Sequence, residues 1–475
     1  MDFYSSEFVR KFSTSTYKSL KLKLGEMTFH KDFVNDGRGD LYPLYKKSAD
    51  CIEKIDKNQY TVEQGDVSRM ICQFFPFASY EVTFSAAMGE AGFIFALPNA
   101  EARIAMQSER ISFSCGTHCE CAEIESTLLK DENTLIVSCR PGAFDIYLKI
   151  NGKPEFLCTV YEQAFADSNA EKVFTNSYTY LYASGKITVN AVSSYIDSGV
   201  SLADIRPIRY EDGEVIYENG KIHFTASIRM QENSFQGVFS WVPGTAELEL
   251  CGAMFYDAGD GKWRNYLAPV LIYNRIKGEW HVWVSSFEHK HVLAYAAFDG
   301  EVRFGVNVID VRLMQNAPEG ADISLFAGFK GDEDPDLIYD KEEERWLMAI
   351  CRLAPETKSY VYTFWQSDNP FENFKYIGRG YDGAETGGSF VRINGVLSFV
   401  CGNGFDKKSE YRIYQNGKMS VAKFNYPDGG FRGWGSLFKI KQGGRDRYFW
   451  LTFDRHNGSE YNWSYGNFYC FEMTK

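Results

Sequence analysis

Three carboxylates lie at similar places in a repeating sequence pattern, and together they could cleave a glycosidic bond. Asp204 lies in ADIRPIRY, Asp334 in EDPDLIYD and Glu385 in ETGGSFVRI, each next to a short apolar run. Neighbouring like charges repel and raise one another's pKa, so gathering three acids would be costly for stability alone. Glycosidic cleavage needs one protonated carboxylic acid and one ionised carboxylate. The alternative is that each acid caps a turn at the start of its strand.

The segments that carry these acids belong to a repeat that begins near residue 200. Strand–turn–strand units start at intervals of 63, 67, 51 and 48 residues, at Asp204, Leu267, Asp334, Glu385 and Gly433. Four strands per unit at about this period are typical of propeller blades. Because the innermost strand of every blade begins at the same end of the central channel, we expect the first residues of these units to converge on one funnel.

The chain before the repeat also predicts β structure, but without a regular period. Asn-Gly turns between apolar runs, at Gly152 in this part and at Gly220 and Gly395 within the repeat, are a strong hairpin signal because such turns need positive φ. The strand order over residues 60–195 is similar to concanavalin-like domains. We therefore predict an all-β protein, with an N-terminal antiparallel β-sandwich and an extension over residues 1–195, and a C-terminal five-bladed β-propeller over residues 196–475.

The amino-acid composition indicates which classes of binding partner to expect. The chain has 475 residues, a formal net charge of −12 and 16% aromatic residues. Aromatic side chains favour half-buried pleated surfaces, and they also supply flat rings on which sugars stack. Nucleic acid and anionic membranes bind clustered Lys and Arg, so neither is an expected partner. The N-terminal residues do not resemble a secretory signal and no apolar stretch suits a membrane span, which predicts a cytoplasmic location. A carbohydrate substrate is expected, and a homo-oligomer is left open.

One cluster of soft ligands has two interpretations. Cys115, His118, Cys119 and Cys121 lie within SCGTHCEC. Four such side chains could bind zinc, but structural zinc sites usually collect their ligands from two separated segments. We expect a polar turn between two strands here, and a protein with neither a metal nor another cofactor.

Five blades with Asp, Asp and Glu at their inner-strand starts resemble the furanosidase-type glycoside hydrolases, namely the invertase-like family 32 and family 43. The segments that match by position are Ala203-Asp204-Ile205, Glu333-Asp334-Pro335 and Glu385-Thr386. Asp334-Pro335 is close to the invertase-like Arg-Asp-Pro motif, whereas Glu333 replaces its Arg and Thr386 replaces the Cys of a Glu-Cys motif. The resemblance implies a glycoside hydrolase that acts on a furanoside or a short oligosaccharide.

The resemblance also implies roles for these side chains. Glu385 would be the general acid, Asp204 the nucleophile or base, and Asp334 the residue that binds a substrate hydroxyl and stabilises the transition state. Further substrate-binding candidates near the funnel are Glu333, which would also adjust the pKa of Asp334, and Arg206, Trp434, Tyr266, Trp263 and Phe329. For each aromatic ring the alternative is packing between blades.

Two other functions stay open at this point. A propeller phosphorylase would need cations near the funnel, and Arg206, Arg264 and Arg392 are the candidates. A non-catalytic carbohydrate-binding propeller would keep the fold without the chemistry. The second blade favours this last alternative, because it opens with Leu267 and Ala268 where other blades have an acid.

Overall fold

The structure is a computed structural model that divides into two compact units. It describes residues 65–197, 201–229, 234–289, 291–314, 330–354, 359–380, 385–403, 410–422, 431–454 and 468–473, together with five strands before residue 63. One unit contains residues 21–197 and 260–263, and the other contains residues 1–20, 198–259 and 264–475. Among the described residues, no helix is long and apolar enough to cross a membrane.

Strands dominate the first 197 residues, whose described part contains one short α-helix, α1 (Glu171–Phe174), and two 3₁₀ turns, at Ser126–Leu128 and Gln163–Phe165. The strands are β1 (Phe8–Thr14), β2 (Lys21–Lys23), β3 (Leu44–Lys46), β4 (Ile52–Asp56), β5 (Gln59–Val62), β6 (Asp66–Gln73), β7 (Ser79–Leu97), β8 (Ala100–Gln107), β9 (Arg110–Cys115), β10 (His118–Glu123), β11 (Asn133–Arg140), β12 (Ala143–Ile150), β13 (Lys153–Tyr161) and β14 (Tyr178–Asp197).

The unit of residues 21–197 is built around the long antiparallel pair β7 and β14. Gly89 and Gly185 are paired at its centre, where Gly185 has a φ of +76° and a Cβ on Gly89 would lie 2.4 Å from a backbone oxygen. On one side of this point β7 pairs with β8, and on the other it pairs with β11. The pair β7 and β14 thus runs through both halves of a single 13-stranded sheet.

The two halves of this sheet face each other through aromatic rings. Phe95 of β7 stacks on Phe144 of β12 with ring centroids 5.3 Å apart, and Phe113 of β9 lies 5.8 Å from Phe144. Offset and edge contacts at these distances are the favourable aromatic geometries. The predicted sandwich is therefore supported in part, because its two layers are halves of one continuous sheet. The concanavalin-like strand order stays a prediction.

Strands also form the described part of residues 198–475. They are β15 (Ser201–Pro207), β16 (Arg209–Tyr210), β17 (Tyr217–Glu218), β18 (Lys221–Arg229), β19 (Ser234–Trp241), β20 (Leu248–Asp257), β21 (Leu267–Asn274), β22 (Glu279–Ser286), β23 (Val292–Phe298), β24 (Gly305–Asp310), β25 (Arg312–Leu313), β26 (Lys330–Asp340), β27 (Arg345–Ala354), β28 (Ser359–Ser367), β29 (Lys375–Arg379), β30 (Glu385–Ile393), β31 (Val396–Asn403), β32 (Glu410–Gln415), β33 (Lys418–Val421), β34 (Phe431–Gln442), β35 (Arg445–Asp454) and β36 (Phe468–Met473).

These strands form five sheets, and the prediction of an all-β fold with a five-bladed propeller is confirmed. Blade 1 has the order β15-β18-β19-β20-β24 with β17 beside β18, and blade 2 has the order β16-β21-β22-β23-β25. Blades 3 and 4 are β26-β27-β28-β29 and β30-β31-β32-β33. Blade 5 is β34-β35-β36-β1, so its outer strand comes from the start of the chain. Residues 8–14, which the sequence assigned to the N-terminal domain, thus pair with the propeller's last strand.

Apolar side chains between neighbouring blades form the core of the propeller. Val270 and Trp283 of blade 2 pack with Leu337 and Trp346 of blade 3, and similar clusters lie between the other consecutive blades from 1 to 5. The four named side chains are at most 4% exposed, which is the burial expected of a close-packed interior. This packing fixes the inner strands around the channel and holds the strand starts in place.

Candidate active site

Each inner strand of the propeller has a β-bulge close to its first residues. The pairing shifts lie between Ala203 and Arg206, Leu267 and Val270, Glu333 and Asp336, Thr386 and Ser389, and Phe431 and Gly435. The first bulged residues of blades 1 to 4 all have positive φ, namely Asp204 (+50°), Ala268 (+53°), Asp334 (+46°) and Gly387 (+59°). Positive φ outside glycine is strained and concentrates at functional sites. Asp204 and Asp334 are therefore equivalent, whereas the equivalent residue of blade 4 is Gly387, two residues after Glu385.

Asp204 is held by a chain of hydrogen bonds across blade 1. Its Oδ2 accepts a hydrogen bond of 2.5 Å from the hydroxyl of Ser227 on β18. That hydroxyl in turn accepts 2.8 Å from Nε2 of Gln236 on β19. The side chain of Asp204 is thus oriented by two polar groups on the next two strands of the blade, and its negative charge raises the pKa of both Glu333 and Asp334 on blade 3.

Asp334 receives hydrogen bonds from blade 4. Its Oδ2 accepts 2.9 Å from Oγ1 of Thr386 and 3.2 Å from the backbone N–H of Gly387. Burial, followed by the negative charge of Asp204, raises the pKa of Asp334, and the charge of Arg206 opposes the rise. Two acids from different blades are therefore close enough to repel each other.

Glu333 precedes Asp334 on β26 and has the most informative environment of the group. Its Oε1 lies 3.0 Å from Nδ1 of His291 and 3.4 Å from the hydroxyl of Tyr360, while 19% of the side chain is exposed. Burial, followed by the negative charges of Asp334 and Asp204, raises the pKa of Glu333 to about 8. A carboxyl group in this position holds its proton at neutral pH and can donate it.

Glu385 does not join this group, although the sequence made it the candidate acid. Its side chain is fully buried, accepts a hydrogen bond from the hydroxyl of Tyr414, and pairs with Nη1 of Arg412 at 3.3 Å. Side chains alternate between the two faces of a strand. Because Thr386 contacts Asp334, the preceding residue points to the opposite face, toward β32 of its own blade.

Arg206 reaches the channel, where it is buried against carboxylate and carbonyl oxygens. Its Nη1 lies 3.4 Å from Oδ1 of Asp336 and donates 2.6 Å to the carbonyl of Gly388. Arg209 donates 2.6 Å to the same Oδ1, and the N–H of Phe390 donates 2.6 Å to the other carboxylate oxygen. A cavity lined by Arg206, Arg209 and Asp336 at this level has a volume of about 10 Å³, at the lower limit of what a single water needs.

The predicted aromatic platform is not assembled from the rings that the structure describes. Trp263 is buried and packs edge-on against Phe75 and Phe174 within the unit of residues 21–197. Tyr266 is buried between blades 1 and 2 and stacks on Tyr256 at 5.6 Å. Both rings therefore follow the packing alternative. Trp434 lies in the bulge of β34, but its side chain is outside the described residues, as is all of Phe329.

The cluster of cysteines and histidine forms the hairpin of β9 and β10. Cys115 is paired with His118 at its end, and Cys119 and Cys121 project from the face opposite to His118, since side chains alternate. His118 instead contacts Glu162 and Glu120, at 2.7 and 2.9 Å. Within the described part of the chain, no three His, Cys, Asp or Glu side chains are arranged to hold a metal ion.

Several residues of the site were not identified from the sequence. They are Ser227, Gln236, His291, Tyr360 and Thr386. Ser227 contacts Asp204, and Gln236 contacts Ser227, because strand register brings them together, and no linear motif records that register. Thr386 follows a predicted strand start, so alternation along that strand would have identified it.

Comparisons with known proteins find similar solved structures but do not assign the chain to a family. No family model matches the chain, and no curated protein matches it. A family 43 β-1,3-galactosidase with galactodeoxynojirimycin has 12% identity and a TM-score of 0.38, covering 56% of this chain and 93% of its own. A family 62 hydrolase in complex with xylotriose has 10% identity and a TM-score of 0.40, covering 58% and 92%. A family 117 glycoside hydrolase from the marine bacterium Zobellia galactanivorans has 11% identity and a TM-score of 0.40, and the match covers 57% of this chain and 84% of that protein. Likenesses at these TM-scores carry no conclusion about this chain, and its resemblance to family 32 stays a prediction.

Proposed function

We propose that this protein is a glycoside hydrolase in which Glu333 is the general acid and Asp204 is the base or nucleophile. The observation that carries the proposal is the position of Glu333, which is 19% exposed and lies 3.0 Å from His291, where burial and the charges of Asp334 and Asp204 raise its pKa to about 8. The negative charge of Asp204 contributes to that pKa, which supports the assignment of both groups to one site. A protonated carboxylic acid beside an ionised carboxylate is the pair that glycosidic cleavage requires.

In the proposed reaction the proton of Glu333 moves to the glycosidic oxygen while the bond from that oxygen to the anomeric carbon breaks. Asp204 then either bonds to the anomeric carbon or removes a proton from the attacking water, and the anomer of the first product distinguishes the two. Asp334 uses Oδ2 for Thr386 and Gly387. Its Oδ1 has no hydrogen bond among the described residues and is the proposed acceptor for a substrate hydroxyl.

Hydrolysis is preferred to phosphorolysis because the candidate arginines already bind carboxylates. The pairs are Arg206 with Asp336 at 3.4 Å, Arg264 with Glu288 at 2.9 Å, and Arg392 with Asp340 at 2.9 Å. A phosphate would have to compete with these ion pairs for the guanidinium groups. Added phosphate is therefore expected to leave the turnover rate unchanged.

The test is hydrolysis of a panel of disaccharides and aryl glycosides of pentofuranose, pentopyranose and hexopyranose sugars. On the disaccharide that the wild type cleaves, Glu333→Gln should lower kcat by about 10²- to 10⁴-fold, the usual contribution of a general acid. Asp204→Asn should abolish turnover. Glu279→Gln is the matched control, because Glu279 also contacts a histidine, His281 at 2.9 Å, and it should leave kcat unchanged.

Three outcomes would contradict the proposal. Binding of a panel sugar without cleavage would favour the non-catalytic carbohydrate-binding propeller. Equal rates for the wild type and Glu333→Gln would show that Glu333 is not the general acid. Turnover that depends on phosphate would replace hydrolysis with phosphorolysis.

A further inference from the structure

The connection between β22 and β23 brings an exposed ring beside the proposed acid. Phe287, the first residue after β22, is 40% exposed and meets the ring of His291 edge-on, with centroids 4.7 Å apart. His291 in turn contacts Glu333, with 3.0 Å between Nδ1 and Oε1. An exposed phenylalanine is thus separated from the acid by a single imidazole.

This connection is anchored to the strand that carries the acid. The backbone N–H of Asp332 donates 2.7 Å to the carbonyl of His291, and His291 has a φ of +57°. A Cβ on Gly331 would lie 3.3 Å from Nδ1 of His291, so glycine leaves room for the imidazole. A surface fixed in this way loses little conformational freedom when a ligand binds to it.

On these observations, and resting on the proposed function, we infer that Phe287 and His291 form the binding site for the leaving-group sugar. The acid must contact the oxygen that leaves, so the part of the substrate bonded to that oxygen lies on the acid's side of the cleaved bond. An exposed ring there offers an apolar face to the C–H face of a sugar, and the imidazole offers a polar edge. The substrate class is then a di- or oligosaccharide, cleaved with a sugar as its leaving group.

The experiment compares two substrates of the sugar that the panel identifies, its disaccharide and its glycosyl fluoride. Fluoride leaves without protonation and occupies no sugar site, so its release depends on neither Glu333 nor Phe287. Phe287→Ala should lower kcat/KM on the disaccharide about tenfold, mainly through KM, and leave the glycosyl fluoride unchanged. Phe304→Ala is the matched control, because Phe304 is 47% exposed and also meets a histidine edge-on, His223 at 5.4 Å, and it should change neither substrate.

The outcomes separate this inference from the function on which it rests. If Glu333→Gln is impaired on the disaccharide but not on the fluoride, while Phe287→Ala equals the wild type on both, the acid stands and the leaving-group site is overturned. Equal losses for Phe287→Ala on both substrates would also overturn it, since they would indicate general damage. A panel on which the wild type cleaves nothing overturns both proposals.

Discussion

Asp334 and Asp336 are two residues apart on the same inner strand, yet they have opposite electrostatic surroundings. Asp336 is buried with two arginines, Arg206 and Arg209, and it also accepts a backbone N–H. Asp334 makes no ion pair among the described residues: burial and the negative charge of Asp204 raise its pKa, and the charge of Arg206 opposes the rise, while Glu333 lies beside it in the sequence. Asp336, whose charge is compensated, binds residues of neighbouring blades. Glu333, in the group without such compensation, keeps a proton that it can donate to a substrate. Charge balance therefore separates the structural acids of this channel from the proposed catalytic ones.

The largest expected effect comes from removing the compensated charge. Asp336→Asn leaves two buried guanidinium groups without their carboxylate and should lower the free energy of unfolding by about 3–5 kcal/mol. Urea denaturation measures this loss. Asp334→Asn is the matched variant on the same strand and should cost clearly less, because it removes a repulsive charge as well as hydrogen bonds. Equal losses for the two variants would mean that charge balance does not distinguish these positions.

A second comparison concerns the two glutamates that competed for the role of acid. In Glu385→Gln the amide oxygen can still accept from Arg412 and Tyr414, but the N–H₂ group then faces the backbone N–H of Tyr362, which donates to the other carboxylate oxygen in the wild type. The free energy of unfolding should therefore fall by about 2–3 kcal/mol. Hydrolysis of the panel disaccharide should persist, in contrast to Glu333→Gln. A stable Glu385→Gln protein without activity would return the acid role to Glu385.

The propeller could be predicted from the sequence because its signal is repeated. The blade starts at Asp204, Leu267 and Asp334 were read from spacing alone, and each lies in or beside a bulge of an inner strand. The acid could not be read in this way, because one residue along a strand reverses the direction of a side chain. Glu385 illustrates this limit: it lies two residues before Gly387, the position equivalent to Asp334, and its side chain contacts Arg412 and Tyr414 of its own blade.

The N-terminal unit shows a different limit. Its hairpins are visible as Asn-Gly and similar turns, but Gly89 and Gly185 in the middle of two long strands carry no turn signal of their own. Whether the halves form one sheet or two depends on pairing across about 95 residues of chain, which local patterns do not encode. The pairing of β1 with β36 is the extreme case, since it joins the two ends of the sequence.

The smallest expected effect is a pH dependence that follows from Glu333 alone. Its pKa is about 8 in the folded protein against an ordinary value of 4.5, so between these pH values the folded state keeps a proton that the unfolded chain has lost. Stability should therefore fall as pH rises through this window, and the loss is complete above about pH 8. Glu333→Gln lacks this loss and should gain about 1–2 kcal/mol over the wild type between pH 5 and pH 8, after allowance for its partial exposure. Thermal unfolding of both proteins at the two pH values measures the gain.

Hydrolysis of the disaccharide should decline above about pH 8, as the acid loses its proton, while release of fluoride should not. A wild type whose stability and acid-dependent rate stay level across this range would show that Glu333 ionises like an ordinary surface glutamate. The difference in charge compensation between Asp336 and the acids around Glu333 would then not supply a general acid.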